Sequence, residues 1–288
     1  MIQLLISGLV TGSIYALVAL GFSFIFKSTE AVNFSQGEWV MAGAMIAAAL
    51  YKLGPGSLAL AVPAAILAVT VLAVVFERLV VYPLAQPTPM KITLMMIGVA
   101  IITKALVMLT LGKAPAGLPG FSGNRLLSVG GVLVNPQALW VVGTLTAAMT
   151  LTHWFFEHTL AGRAMKAAAS DRDAAALVGI NVRRTVMWSF GLAGAVGALA
   201  GVIITPITMT SFNAGGMLGF KGFSAAILGG LGVPRGALAG GLLLGLLEAL
   251  AAGYISSQYK DAVAFIVLLA VLFVRPTGLF GQREIVKV

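Results

Sequence analysis

Cysteine is absent from the 288 residues, and Asp, Glu, Lys and Arg together supply only 9% of them. The first absence excludes disulfides and thiolate metal sites. The second excludes an ordinary water-soluble domain, where about a quarter of residues are charged. Too little polar side chain exists to cover a surface in water. Catalytic motifs are missing as well. The Gly-Lys of "LGKAP" lacks the Gly-rich loop and the Ser/Thr of a nucleotide-phosphate loop, and no G-x-S-x-G or H-E-x-x-H occurs. His153 and His158 have no metal-ligand spacing and read as interface residues. The sequence therefore predicts no covalent chemistry, no ATP hydrolysis and no cofactor in this chain. The net charge of +9 comes without an Arg/aromatic cluster, so no nucleic-acid partner is expected.

What the chain does have is apolar length. Hydrophobic residues make up 59% of it, and the mean hydropathy is +1.03. The runs are rich in Leu, Ala, Val and Gly without the alternation of a membrane barrel, which predicts an all-α integral membrane protein in the lipid bilayer. Nine spans are read, at 3–26, 37–51, 57–77, 92–112, 136–157, 186–206, 214–233, 236–253 and 259–275, so the polytopic bundle holds about eight to ten membrane helices. Of these, 37–51 and 214–233 are marginal, and both follow polar or Gly-rich sequence. "MIQLLISGLVTG" reads as the start of a first membrane helix, not a cleaved signal. Residues 1–288 form a single membrane domain, interrupted at 158–185 by a charged insert.

Charge sets an expected orientation. With the insert in the cytoplasm, Lys27, Arg78, Lys91, Arg163, Lys166, Arg172, Arg183, Arg184, Arg235, Arg275, Arg283 and Lys287 share its side. Lys52, Lys113, Arg125, Lys221 and Lys260 fall opposite, and Lys104 lies within a span. The positive-inside rule then predicts the N-terminus out and the C-terminus in. Trp39, Trp154 and Trp188 fall at inner span ends and Trp140 at an outer one, as in an aromatic belt. The Gly8/Gly12, Gly197/Gly201, Gly236/Gly240 and Gly241/Gly245 pairs predict close helix packing, with faces left for a second subunit.

Polarity within the spans marks the candidate pathway. Ser7, Thr11 and Tyr15 recur every fourth residue and form one stripe, expected to face the bundle interior. That stripe serves either interhelical hydrogen bonds or a pathway. "STEAVNFSQGEWVMAGAM" breaks the apolar pattern at Asn33, Ser35, Gln36, Gly37 and Glu38, and "TSFNAGGMLGFKGFSAAILGG" breaks it comparably in the second half. Such paired breaks point to a substrate site in transporters. The other reading of the first break is a short loop with a helix cap. Lys104 and Glu248 lie deep in spans and need polar company. They pair with each other, or Lys104 meets an anionic group of the cargo, or it snorkels to the surface.

The insert, "GRAMKAAASDRDAAALVGINVRR", reads as two short helices. Ala164–Ala169 is helix-forming, Ser170 and Asp173 have capping-box spacing, and Gly179 is placed as a left-handed stop. Their small apolar faces beside charge suit docking into a groove on another protein.

Three blocks carry a family resemblance: "GSIYALVALGFSFIF…AVNFSQGEWVMAGA", the insert, and "GFKGFSAAILGGLGVPRGALAGGLLLGLLEAL" with "RPTGLFG". The chain resembles the permease subunits of branched-chain amino-acid ABC importers, of the H-type of the paired permeases. The resemblance implies a type II-like importer permease fold and a second homologous permease subunit. It also implies two ATPase subunits carrying ATP and Mg, and a periplasmic or extracellular substrate-binding protein. It assigns Gly162, Arg163, Ala164, Asp171 and Gly179 to the ATPase contact. Where that family commonly has "NFAHGE", this chain has Gln36 in place of His, and Lys104 stands where a neutral polar residue is usual. Relatives of this type carry urea, amides or aromatic acids as well as amino acids. The reading from another class is an ion- or proton-coupled secondary transporter, with Lys104 and Glu248 as coupling residues.

Overall fold

A computed structural model describes residues 1–54, 56–84, 88–123, 126–129 and 132–281. Arg125, Arg283 and Lys287 of the charge count lie outside the described residues. The helices are α1 (Ile2–Thr29), α2 (Gln36–Leu53), α3 (Leu58–Phe76, continued by a π-helical turn, Glu77–Val81), α4 (Pro89–Leu111), α5 (Pro136–His158), α6 (Leu160–Ser170), α7 (Arg172–Leu177), α8 (Val182–Thr208), α9 (Ala214–Gly229), α10 (Pro234–Tyr254) and α11 (Lys260–Val274). Proline opens α4, α5 and α10, where its missing N–H costs nothing. All nine expected spans coincide with helices. Among the described residues, α1, α3 with its π turn, α4, α5, α8 and α10 are long and apolar enough to cross a membrane. The other three, α2, α9 and α11, have 18, 16 and 15 residues. At ~1.5 Å per residue the two shortest fall below a bilayer core of about 30 Å. One feature departs from the all-α expectation. A small antiparallel hairpin, β1 (Leu127–Val129) and β2 (Val132–Val134), lies between α4 and α5.

The core is organised around α1, most of which is enclosed by α10, α8 and α9. Two of the expected Gly pairs meet each other there. A Cβ on Gly12 would fall 2.9 Å from the Gly241 carbonyl oxygen, and one on Gly245 would collide with the Gly12 backbone. Gly201 abuts the Val40 backbone in the same way, so these glycines set contacts inside the chain. Trp140, Trp154 and Trp188 are about half exposed, as lipid-facing belt residues are, but Trp39 is fully buried and stacks edge-on against Phe190. Trp39 is thus a core residue. Its position near the start of α2 is a bundle interior and not an interface.

The reason is that α2 does not start at the membrane surface. Gln36 packs against Gly21, eight residues before α1 ends, or ~12 Å back along the helix. The intervening chain is held by the bundle. The Ser35 hydroxyl donates to the Met96 carbonyl (2.6 Å), the Val32 N–H to Thr93 Oγ1 (3.1 Å), and the Ser35 N–H to Asn33 Oδ1 (3.1 Å). Gln36 Nε2 donates to the Ala193 carbonyl at 3.0 Å. Asn33, Ser35 and Gln36 are fully buried. Ser35 makes no side-chain cap bond at α2; Asn33 supplies the local side-chain bond, to the Ser35 N–H, so the capped turn is present but lies buried in the bundle. It is irregular backbone buried by protein at membrane depth. The α8–α9 break meets it. Met209–Asn213 links the two helices, and a Cβ on Gly37 would sit 2.6 Å from the Gly219 Cα.

The insert folds as two helices with one shift. Asp171, not Ser170, caps α7, its carboxylate accepting from the Ala174 N–H at 2.9 Å, while Ser170 ends α6. A carboxylate adds a favourable charge at a helix N-terminus, which a hydroxyl lacks. Gly179 does end α7, at φ 84°, with the Ile180 N–H reaching the Ala175 carbonyl and its own N–H the Ala176 carbonyl. Arg172 ties the insert to the bundle through the Ser28 carbonyl at 2.6 Å.

Candidate functional site

A cavity of about 650 Å³ opens between α1, α2, α8 and α9. Its walls are largely aliphatic or thioether, with Ile14, Val40, Met41, Ile204, Met217 and Leu218 among them. Polar groups enter from Thr11, Tyr15 and the α8–α9 link, and Lys221 and Lys260 bring charge. The link is fixed at this cavity by a reciprocal backbone pair, Ala116 N–H to Thr210 O and Thr210 N–H to Ala116 O, each 2.8 Å.

Lys221 belongs to a buried network. Its Nζ donates to Glu248 Oε1 at 3.0 Å and Oε2 at 3.1 Å, and to Asp261 Oδ1 at 2.7 Å. The Tyr15 hydroxyl donates to Glu248 Oε2 at 2.7 Å, and Lys221 Nζ stands 5.4 Å from the Tyr15 ring centre. Four helices, α1, α9, α10 and α11, are joined by these contacts. Lys221 and Glu248 are both buried, and Asp261 is about a third exposed at the network's open end. The charge pair is formed where the low dielectric makes it strong and its loss costly.

The candidate residues fall in different places. Tyr15 and Thr11 line the cavity, but Ser7 is exposed and outside the lining residues, because α1 emerges from the bundle over its first turns. Glu248 finds its cation in Lys221, not in Lys104. Its helix packs on α1 and α9, whereas α4, which carries Lys104, packs on α2. The charge count places Lys221 with the outer residues; it is instead inside the bundle. Lys104 is half-buried, with an aromatic ring for its neighbour. Its Nζ rests 5.7 Å over the Phe212 ring, a cation–π distance, in the α8–α9 link. Asn33 Nδ2 donates to Gln36 Oε1 at 3.3 Å, which makes both part of the α2 break. Glu38 lies beside them, buried, with Oε2 lacking a hydrogen-bond partner among the described residues. It borders a cavity of about 150 Å³ with Phe22, Phe34, Phe220 and Phe223.

Lys221 and Asp261 are the residues missed by sequence reasoning. Lys221 sits in "NAGGMLGFKGFSAA", so the argument applied to Lys104, a lone cation inside an apolar span, applies equally to it. Asp261 carries no such signal, since it lies in the first turn of α11 at the expected span edge.

In the insert, Arg163, Asp171 and Gly179 are exposed and Ala164 half-buried. Gly162 is buried, and a Cβ there would collide with the Phe155 carbonyl. Its lack of a side chain closes the α5–α6 corner. The outward tip is apolar, with Leu177 89% and Val178 77% exposed.

With this geometry defined, comparison with known proteins adds the family. Residues 4–272 match the model of the branched-chain amino acid transport system / permease component. The chain belongs to that family. It is 35% identical to the high-affinity branched-chain amino acid transport system permease protein LivH of Escherichia coli, over 100% of this chain and 97% of that one. It is 35% identical to the corresponding permease BraD of Pseudomonas aeruginosa, covering 100% and 98%. The ribose import permease RbsC of Escherichia coli is 28% identical over 90% of this chain and 82% of its own. Among solved structures, PsaBC from Streptococcus pneumoniae in complex with Fab shares the fold. Its TM-score is 0.53 at 10% identity, with 94% and 91% of the two chains covered. The permease is thus a multi-pass α-helical protein of the bacterial inner membrane, and a transport component in its own right.

Proposed function

We propose that this permease is the membrane-spanning subunit of an ATP-driven ABC importer for branched-chain or related small amino acids. The observation that carries the substrate class is the cavity. Aliphatic and thioether walls suit a branched hydrocarbon side chain, and Lys221 and Lys260 bring positive charge to the cavity for the carboxylate of an amino acid. Full-length similarity to LivH and BraD supports the same cargo.

In this reading the insert faces the cytoplasm, with the N-terminus out and the C-terminus in. Lys27, Arg78, Arg172 and Arg183 gather at the insert's end of the bundle, which supports that orientation. The insert docks on two ATPase subunits, which bind ATP and Mg, and this chain holds no cofactor. A second homologous permease completes the pathway, and a periplasmic or extracellular binding protein delivers the solute. ATP-driven closure of the ATPases moves the insert through Leu177 and Val178, and the bundle switches which side its cavity faces. Glu38 lies at the α2 break, and the Lys104 ammonium, carried by α4, meets the α8–α9 break at Phe212, where such a switch would repack.

The test is uptake by the full assembly in proteoliposomes. ATP-dependent accumulation of leucine supports the proposal, while uptake of leucine by the permease alone along an ion gradient overturns it. Uptake of urea or short amides but not leucine by the assembly would retain the transporter class and replace the cargo. A second outcome concerns the insert. Arg163→Glu should reduce leucine uptake at least about tenfold, the equivalent of ~1.4 kcal/mol, while ATP hydrolysis continues and the permease elutes as a folded complex. Unchanged coupling in that variant would remove Arg163 from the contact.

A further inference from the structure

At the insert's end of the bundle, three arginines crowd one cleft. It holds about 220 Å³ and is lined by Arg78, Tyr82, Asn181, Arg183, Arg184 and Met187. The guanidinium carbons of Arg78 and Arg183 stand 3.8 and 4.8 Å from the centre of the Tyr82 ring. Two cations therefore share one aromatic ring, with a third alongside, and no carboxylate lines the cleft among the described residues. Glu77, the nearest acidic residue in sequence, is buried and borders the adjoining cavity with Tyr82, Arg172 and Arg183, so one carboxylate offsets part of the charge of the arginines. Arg183 and Arg184 occupy the first turn of α8, where the helix dipole is itself positive, and Asn181 caps that turn through the Arg184 N–H at 3.1 Å. Like charges so placed repel unless an anion joins them. The Tyr82 hydroxyl registers the excess. A hydrogen bond with Arg183, then the charge of Arg78, holds it below the ordinary phenol range.

The surroundings define what kind of anion fits. Leu67, Val71, Val75 and Leu79 recur every fourth residue along α3 and are all exposed, forming an apolar stripe that ends beside Arg78. Trp188, one turn beyond Arg184 on α8, is 47% exposed. The membrane-spanning part of α3 ends at Val81. An apolar track thus leads along the span into a basic cleft at its end. That pairing is complementary to an amphipathic anion with its charge at one end.

We propose that this cleft binds the phosphate of an anionic membrane phospholipid. The guanidinia of Arg78 and Arg183 hold the phosphate oxygens, Arg184 adds charge, and the acyl chains lie along the α3 stripe. The site is separate from the cavity of the transport pathway and does not depend on the cargo.

The experiment uses the purified permease in nanodiscs and in detergent, with phosphatidylglycerol, phosphatidylcholine and inorganic phosphate as probes. Native mass spectrometry should show phosphatidylglycerol retained by the wild-type protein in preference to phosphatidylcholine. Arg78→Gln and Arg183→Gln should each lower that retention at least about tenfold, whereas Arg163→Gln, on the insert, should not. A spectroscopic readout accompanies it. The Tyr82 phenolate signal, isolated by difference against Tyr82→Phe, should titrate at higher pH in phosphatidylglycerol nanodiscs than in phosphatidylcholine nanodiscs, because the bound phosphate offsets the cations that favour phenolate. If Arg183→Gln does not fold, Arg184→Gln supplies the same comparison. Equal retention of both lipids, or no shift of the Tyr82 titration, overturns the proposal. So does displacement of the lipid by millimolar inorganic phosphate, which would mark a free-anion site. Loss of ATPase assembly in Arg78→Gln with lipid retention unchanged would assign the cleft to a protein carboxylate instead.

Discussion

Lys221→Met should destabilise the permease more than any other single side-chain change in the cavity. Lys221 is buried between Glu248 and Asp261, and its removal leaves the Glu248 carboxylate with only the Tyr15 hydroxyl for company. Removing one partner of a buried ion pair costs about 3–5 kcal/mol, because a charge remains in a medium that cannot solvate it. Replacing both partners with apolar side chains removes that penalty. Lys221→Met combined with Glu248→Leu should therefore recover part of the lost stability, less the cost of the Tyr15 hydroxyl and the part-exposed Asp261 left unpaired, while uptake stays absent, since the cation at the cavity wall is gone. Glu248→Gln is intermediate. Its amide oxygen still accepts from Tyr15, and Lys221 keeps Asp261. Thermal unfolding in detergent, followed by size-exclusion chromatography, orders the three variants. If Lys221→Met melts with the wild type, the network is not the structural join that its distances imply.

The second large effect comes from a single carbon atom. Gly245→Ala places a Cβ onto the backbone of Gly12, and Gly241→Ala places one onto Ala16. Backbone cannot rotate away as a side-chain tip does, so α1 and α10 must separate along their whole seam. Overpacking costs about 1–3 kcal/mol when side chains can yield, and occasionally more. At this seam the upper end or beyond is expected, as loss of folded protein on extraction. The control is Gly143→Ala on α5, where a Cβ meets nothing within 4 Å. There the change should be neutral, or stabilising by about 0.5–1 kcal/mol through helix propensity. Equal yields of Gly245→Ala and Gly143→Ala would show that the seam is looser than its geometry.

These two predictions also show what was legible beforehand. The Gly pairs were visible because close packing in lipid demands small residues at fixed spacing, a one-dimensional pattern. Which pair meets which was not, because Gly8/Gly12 and Gly241/Gly245 are brought together only by the fold. Nine of the helices among the described residues were readable from apolar runs, and the breaks at Asn33–Glu38 and within Thr210–Gly230 from polarity or glycine in them. That both breaks touch at Gly37 and Gly219 needed coordinates. The network was half legible. Glu248 and Tyr15 stood out as polar groups in apolar helices, but charge pairing depends on helix neighbours, and Lys104 was the wrong neighbour. In the insert, Gly179 was readable because a left-handed stop has a strong residue preference. The start of α7 was displaced by one residue because Ser170 and Asp171 are both good caps. The folding of Gly162 against Phe155 had no sequence signal at all.

The enclosure of α1 has a consequence for how the permease is made. Tyr15 and its acceptor Glu248 are separated by 233 positions, so α1 enters the bilayer long before the helix that will cover its small-residue face is translated. During that interval the Gly8/Gly12 surface and the Tyr15 hydroxyl have lipid or the insertion machinery for neighbours. Assembly draws α10 back to a helix that has waited through most of synthesis.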